Sequence, residues 1–131
     1  MTGIVGLFTG AVEKIEFVSL YAVPTGGGWN LTAILRNVGT TTTSIDMCFI
    51  NGVPHDQWGG AAEITGVTVD GKPQQKDTLP VTLNPGNSTT ITITLYKGKK
   101  IGATTLSPGV SIEVKFHTTG GKEYPKLTTL P

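Results

Sequence analysis

The feature of this sequence that most limits its fold is a period-two alternation of apolar and polar residues. It comes in short runs, each stopped by a turn built on Gly, Pro or Asn. Ile91, Ile93 and Leu95 alternate with Thr90, Thr92 and Thr94. Val110, Ile112, Val114 and Phe116 alternate with Ser111, Glu113 and Lys115. Each of these runs follows a Pro-Gly pair, Pro85-Gly86 and Pro108-Gly109, in which Pro fixes φ and Gly admits positive φ. Upstream, Trp29, Leu31, Ala33 and Leu35 alternate with Asn30, Thr32, Ile34 and Arg36. Side chains two apart share one face of a strand, whereas a helix needs spacings of three and four. With 18 Gly and 8 Pro in 131 residues, no stretch is left for a long helix.

The remaining runs extend the pattern. Residues 12–23 read as a strand with Ile15, Phe17, Tyr21 and Val23 on one face and Val12, Val18, Leu20 and Ala22 on the other. Residues 43–51 place Ile45, Met47 and Phe49 opposite Ser44, Asp46 and Cys48. Asn51-Gly52 and Asp70-Gly71 are hairpin signals, and a short strand lies between residues 64 and 70. Residues 122–130 form a last strand, placed at a sheet edge by Pro125. Seven or eight short strands with turns at intervals of roughly 8–12 residues predict an all-β, antiparallel two-sheet sandwich of immunoglobulin-like type. The Cys–Trp–Cys hallmark of antibody domains is missing. Residues 11–131 are expected to form one sandwich domain, and residues 1–10 an apolar stub.

Composition narrows the function. Ten basic and nine acidic residues give a net charge of +1, which argues against nucleic acid as a partner, since that affinity rests on clustered cations. Lys97, Lys99 and Lys100 read as a solvated loop tip. The single cysteine, Cys48, excludes an intrachain disulfide and a Cys-based metal site, and its apolar neighbours predict a small buried hydrophobe. No apolar run is long enough to cross a membrane as a helix. Charged residues are only 15%, and threonine fills the gap. Such a hydroxyl-rich surface suits contact with protein, or sugar.

Chemistry-bearing patterns are sparse. His55-Asp56 is a possible base and orienting acid, the basis for a small-hydrolase reading, but no third partner and no Gly-x-Ser-x-Gly elbow accompany it. The carboxylates are scattered, no phosphate-binding loop appears, and His117 falls on the polar face of its strand. No catalytic residue, metal or cofactor is expected. Trp29 belongs to the core. Trp58, in a Gly-rich loop, is the candidate for exposure and for contact with a partner or glycan. Asn30-Leu31-Thr32 and Asn87-Ser88-Thr89 are glycosylation sequons, one on the outward phase of a strand and one in a turn.

Several phrases together resemble a known family. Residues 4–10 (Ile-Val-Gly-Leu-Phe-Thr-Gly), 28–39 (Gly-Trp-Asn-Leu-Thr-Ala-Ile-Leu-Arg-Asn-Val-Gly), Ile50-Asn51-Gly52 and residues 83–88 (Leu-Asn-Pro-Gly-Asn-Ser) resemble the head domains of archaeal type IV pilins. Archaeal flagellins and archaellum stator subunits are broadly similar. The resemblance implies a cell-surface protein without enzymatic activity. Its outward-facing sandwich would follow an N-terminal hydrophobic helix that this sequence lacks, so any membrane attachment would run through that helix. Ile4, Val5, Leu7 and Phe8 would lead out of it. The expected function is the soluble head of a pilin-like filament subunit, associating with its own copies or with other surface proteins. The alternative is a stator-like or adhesin domain that grips a surface layer or a glycan.

Overall fold

Hydroxyl and β-branched residues in alternation, cut by Gly turns, give a chain of strands. The computed structural model describes residues 12–131, so the stub residues Ile4, Val5, Leu7 and Phe8 lie outside the described residues. In chain order the strands are β1 (Ile15–Pro24), β2 (Gly28–Asn37), β3 (Thr43–Ile50), β4 (Val53–Pro54), β5 (Ala62–Val69) and β6 (Lys72–Pro73). They continue with β7 (Val81–Leu83), β8 (Ser88–Tyr96), β9 (Lys100–Ile101), β10 (Thr104–Thr105), β11 (Ser111–Thr118) and β12 (Glu123–Thr129). A single 3-10 turn, His55–Gln57, is the only helical element among the described residues.

The first sheet has the order β1-β2-β8-β5-β6. The second has the order β12-β11-β3-β4, with β7 also pairing β3, and β9-β10 form a separate small ladder. All pairings are antiparallel. The seven long strands reduce to β1-β2-β8-β5 facing β12-β11-β3. That is the four-plus-three strand order of an immunoglobulin constant-type sandwich, so the predicted class holds. Pro125 sits in β12, an edge strand, as its missing N–H requires.

The inner faces meet in one apolar core. β2 supplies Trp29, Leu31, Ala33 and Leu35, β8 supplies Ile91, Ile93 and Leu95, and β11 supplies Ile112, Val114 and Phe116, all buried. Each large side chain so buried contributes about 1.5–3 kcal/mol. The Trp29 indole N–H donates to the Pro131 carbonyl at 3.0 Å, tying the chain end to the core.

Strict alternation fails in two strands, for one physical reason. In β1, Phe17 pairs with Leu35 but Ser19 pairs with Ile34, so Val18 is an extra residue. One extra residue moves every later side chain to the opposite face. Ile15 and Phe17 point inward before the bulge, and Leu20 and Ala22 after it. Tyr21 and Val23, expected on the face of Ile15, are instead 45% and 49% exposed. In β3, Met47 pairs with His117 but Ile45 pairs with Thr118, leaving Asp46 as the extra residue. Thr43 and Ile45, then Cys48 and Ile50, face the core. Met47 and Phe49, expected to share a face with Ile45, are only partly buried.

Candidate interaction surface

The outer faces of the two sheets differ in kind. On the first, register aligns Val23, Asn30 and Thr94 in one row and Tyr21, Thr32 and Thr92 in the next, followed by Ile34 beside Thr90. Charge stands only at the margins of these rows. Glu16 pairs with Arg36 across β1 and β2 at one end. At the other, Glu63 accepts a 3.0 Å bond from the Tyr96 hydroxyl, and that bond raises the Tyr96 pKa. The second sheet is laced with charge. Lys115 Nζ lies 3.4 Å from Glu123 and 4.9 Å from the centre of the Phe49 ring, and His117 Nδ1 lies 2.7 Å from Asp46 Oδ1.

The apolar strip on the first sheet follows from the β1 bulge. Val18 is 55% exposed there, in line with Tyr21 and Val23. β1 is also an edge strand whose only charged residue is Glu16. Long edges with so little charge tend to pair with another chain. Here the bulge twists the edge, and β12, the edge of the second sheet, lies alongside it without a ladder between them.

The two sequons differ. Asn30 is exposed on β2. Its Oδ1 accepts a long 3.4 Å bond from Thr94 Oγ1, and among the described residues no hydrogen bond engages its Nδ2. Asn87 is half-buried and built into a turn. Its Nδ2 donates to Asp70 Oδ2 at 2.7 Å, and its Oδ1 accepts from the Asn84 N–H at 2.9 Å. The Ser88 N–H adds a bond to Asp70 Oδ1 at 2.9 Å.

Trp58, expected to be presented by its loop, is 3% exposed. The 3-10 turn before it folds the indole inward, where Nε1–H donates to the Val53 carbonyl at 2.8 Å and the ring meets His55 edge-on. An indole with its N–H satisfied belongs in a core. His55 and Asp56 do not form an acid–base unit: His55 Nδ1 accepts from the Cys48 backbone N–H at 3.2 Å, while Asp56 is exposed. Cys48 is fully buried, and burial pushes its thiol pKa up. Lys97, Lys99 and Lys100 are exposed. Among the described residues, no group of three or more His, Cys, Asp or Glu side chains is placed to hold a metal ion. Among them, too, no helix is long and apolar enough to cross a membrane.

One polar centre carried no signal in the sequence, where Glu13 looks like an interruption of an apolar face. Its carboxylate accepts hydroxyl bonds from Thr43 (2.7 Å), Thr118 (2.8 Å) and Tyr124 (2.8 Å), and Lys122 Nζ donates to its backbone carbonyl at 2.9 Å. Burial opposes ionisation of Glu13. The three hydroxyls and the Lys122 charge outweigh it, and the carboxyl is held below its ordinary range. Burial and the Glu13 charge push the Tyr124 phenol up to about 12. A side chain at Gly120 would run into the Glu13 carboxylate. The centre pins the segment ahead of β1 to β3, β11 and β12.

No protein-family model matches the chain, and no curated protein matches it. Solved structures do. The archaellum periplasmic stator protein FlaG from Sulfolobus acidocaldarius is similar in fold at 22% identity and a TM-score of 0.52, over 89% of this chain and 100% of that one. The archaellum periplasmic stator protein complex of FlaF and FlaG from the same organism gives 19% identity and a TM-score of 0.48, over 89% of this chain and 90% of that one.

Proposed function

We propose that this chain is a non-enzymatic structural domain of the archaeal cell envelope, associated with the archaellum in the manner of a stator and acting by holding other proteins in place. The observation that carries this reading is the fold likeness: the whole of a stator domain is matched by 89% of this chain. The chemistry of the surface agrees with it. One sheet presents a hydroxyl-rich face, charged only at its margins, of the kind used for contact or display. The pilin-head reading stands behind the stator-like one, because the likeness found is to a stator domain. The partners in this reading are other surface proteins of the same cell.

The test is genetic. Deleting the gene in its own organism should abolish or cripple swimming, and the wild-type chain supplied in trans should restore it. Normal swimming after deletion would sink the reading. Electron microscopy of the same cells separates the two structural roles: a labelled chain found along a filament identifies a filament subunit, and label confined to the cell envelope identifies a stator-like part.

A further inference from the structure

We propose that Asn30 carries an N-linked glycan and that Asn87 does not. The inference needs the chain to reach the cell surface and so rests on the location in the reading above.

An N-linked acceptor must present its amide nitrogen, with a hydroxyl two residues on. In a strand, residues two apart share a face. Asn30 and Thr32 both stand on the outer face of the first sheet, and the Asn30 amide nitrogen is uncommitted. That nitrogen can attack the anomeric carbon of a lipid-phosphate-linked oligosaccharide. The new C–N bond replaces the C–O bond to the lipid phosphate, which leaves with the electron pair, and the transferring enzyme's base takes the amide proton. The one charge in the row of Asn30, Glu63, stands at its far end beyond Thr94 and is bonded to the Tyr96 hydroxyl, whereas Val23 lies directly opposite Asn30, with Tyr21 on the diagonal. Sugar rings have apolar faces as well as hydroxyl edges. A glycan rooted at Asn30 therefore packs on exposed Tyr21 and Val23 while hydrogen-bonding the threonines of β2 and β8. This gives a use to apolar side chains that no part of the described chain covers. Asn87 has the same motif and the opposite environment. Its nitrogen is committed to Asp70, and a sugar there would claim the space that carboxylate holds.

The two sequons fall in separate tryptic peptides, 15–36 and 77–97, bounded by Lys14 and Arg36 and by Lys76 and Lys97. The experiment is peptide mass mapping of the native chain purified from its own cells, with surface protease accessibility measured alongside. The expected result is added glycan mass on 15–36 and none on 77–97. Asn30→Gln and Thr32→Ala should abolish the added mass, and Thr32→Ser should retain it. The wild-type map decides even where an Asn87 variant folds poorly. A surface-exposed chain with 15–36 unmodified, or with glycan on 77–97 alone, overturns the proposal and leaves the surface role standing. A chain retained in the cytoplasm overturns both.

Discussion

Replacing Glu13 tests whether a single carboxylate locks the start of the sandwich. In Glu13→Ala, the hydroxyls of Thr118 and Thr43, which are 0% and 5% exposed, lose the carboxylate, and only a long 3.5 Å contact from Thr118 to the Lys122 carbonyl remains. A buried donor left unmatched costs about 1–3 kcal/mol, while the partly exposed Tyr124 hydroxyl can turn to water. Release of the carboxylate's own burial cost offsets part of the loss, leaving about 3 kcal/mol of destabilisation. At about 4 °C per kcal/mol for a chain of this size, Tm should fall by about 12 °C. Glu13→Gln keeps one accepting oxygen, turns the other into an NH2 donor and removes the charge, for about 1–2 kcal/mol. The pH dependence carries the sharper test. The folded carboxyl titrates below the ordinary 4.5, so the unfolded chain binds this proton more readily. The stabilisation is therefore complete above 4.5 and lost as pH falls through the lower, folded value. Tyr124 works in the opposite sense, its pKa raised from 10 to about 12. Its stabilisation is complete below pH 10 and lost as pH rises toward 12. Urea titrations followed by tryptophan fluorescence at pH 7, 4 and 2.5 should show the gap between wild type and Glu13→Gln shrinking toward zero. A gap that stays constant with pH, or a Glu13→Ala cost under about 1 kcal/mol, would refute the reasoning.

Three further perturbations have readouts fixed by the packing. Trp58→Ala should cost about 3–5 kcal/mol in a denaturant titration, as befits a buried indole, and a loss below about 1 kcal/mol would mean that the ring is presented to solvent after all. Gly28→Ala should destabilise by more than about 2 kcal/mol, because its new methyl would overlap the Leu95 carbonyl oxygen, while Gly27→Ala, with open space around it, should stay within about 0.5 kcal/mol. Equal effects at the two glycines would contradict the close approach of β2 to β8. The Cys48 thiol should ignore Ellman's reagent at pH 8 while the chain is folded and react fully in urea, because burial holds it protonated and out of reach; rapid labelling of the native chain would refute its burial.

How much was legible in the sequence follows from how each feature is encoded. β2, β8 and β11 keep strict alternation from end to end, so their core faces could be read directly, and the Pro-Gly pairs fixed where β8 and β11 begin. The edge position of β12 followed from Pro125. Trp58 was misjudged because Gly-rich neighbours signal a loop but say nothing of where its side chain points, and a 3-10 turn of three residues was enough to turn it inward. Glu13 could not have been found. Its partners lie 30, 105 and 111 residues away, and only the folded sheets bring Thr43, Thr118 and Tyr124 to one carboxylate.

The bulges link fold to surface. Had β1 kept its alternation, Tyr21 and Val23 would have joined Ile15 and Phe17 in the core, and Leu20 and Ala22 would have faced water. The extra residue at Val18 exchanges these pairs, bringing the smaller Leu20 and Ala22 against the core and putting a tyrosine and a valine beside Asn30. Nothing local marks Val18 as a bulge. What selects it is the sandwich as a whole, which must match β1 to a partner strand whose own inward set, Trp29 to Leu35, is already fixed. The same reasoning applies to Asp46 in β3, whose bulge sends Cys48 and Ile50 inward and leaves Asp46 beside His117. The character of each outer face, charged only at the margins on one sheet and charge-laced on the other, is thus set partly by a register that only the assembled core determines.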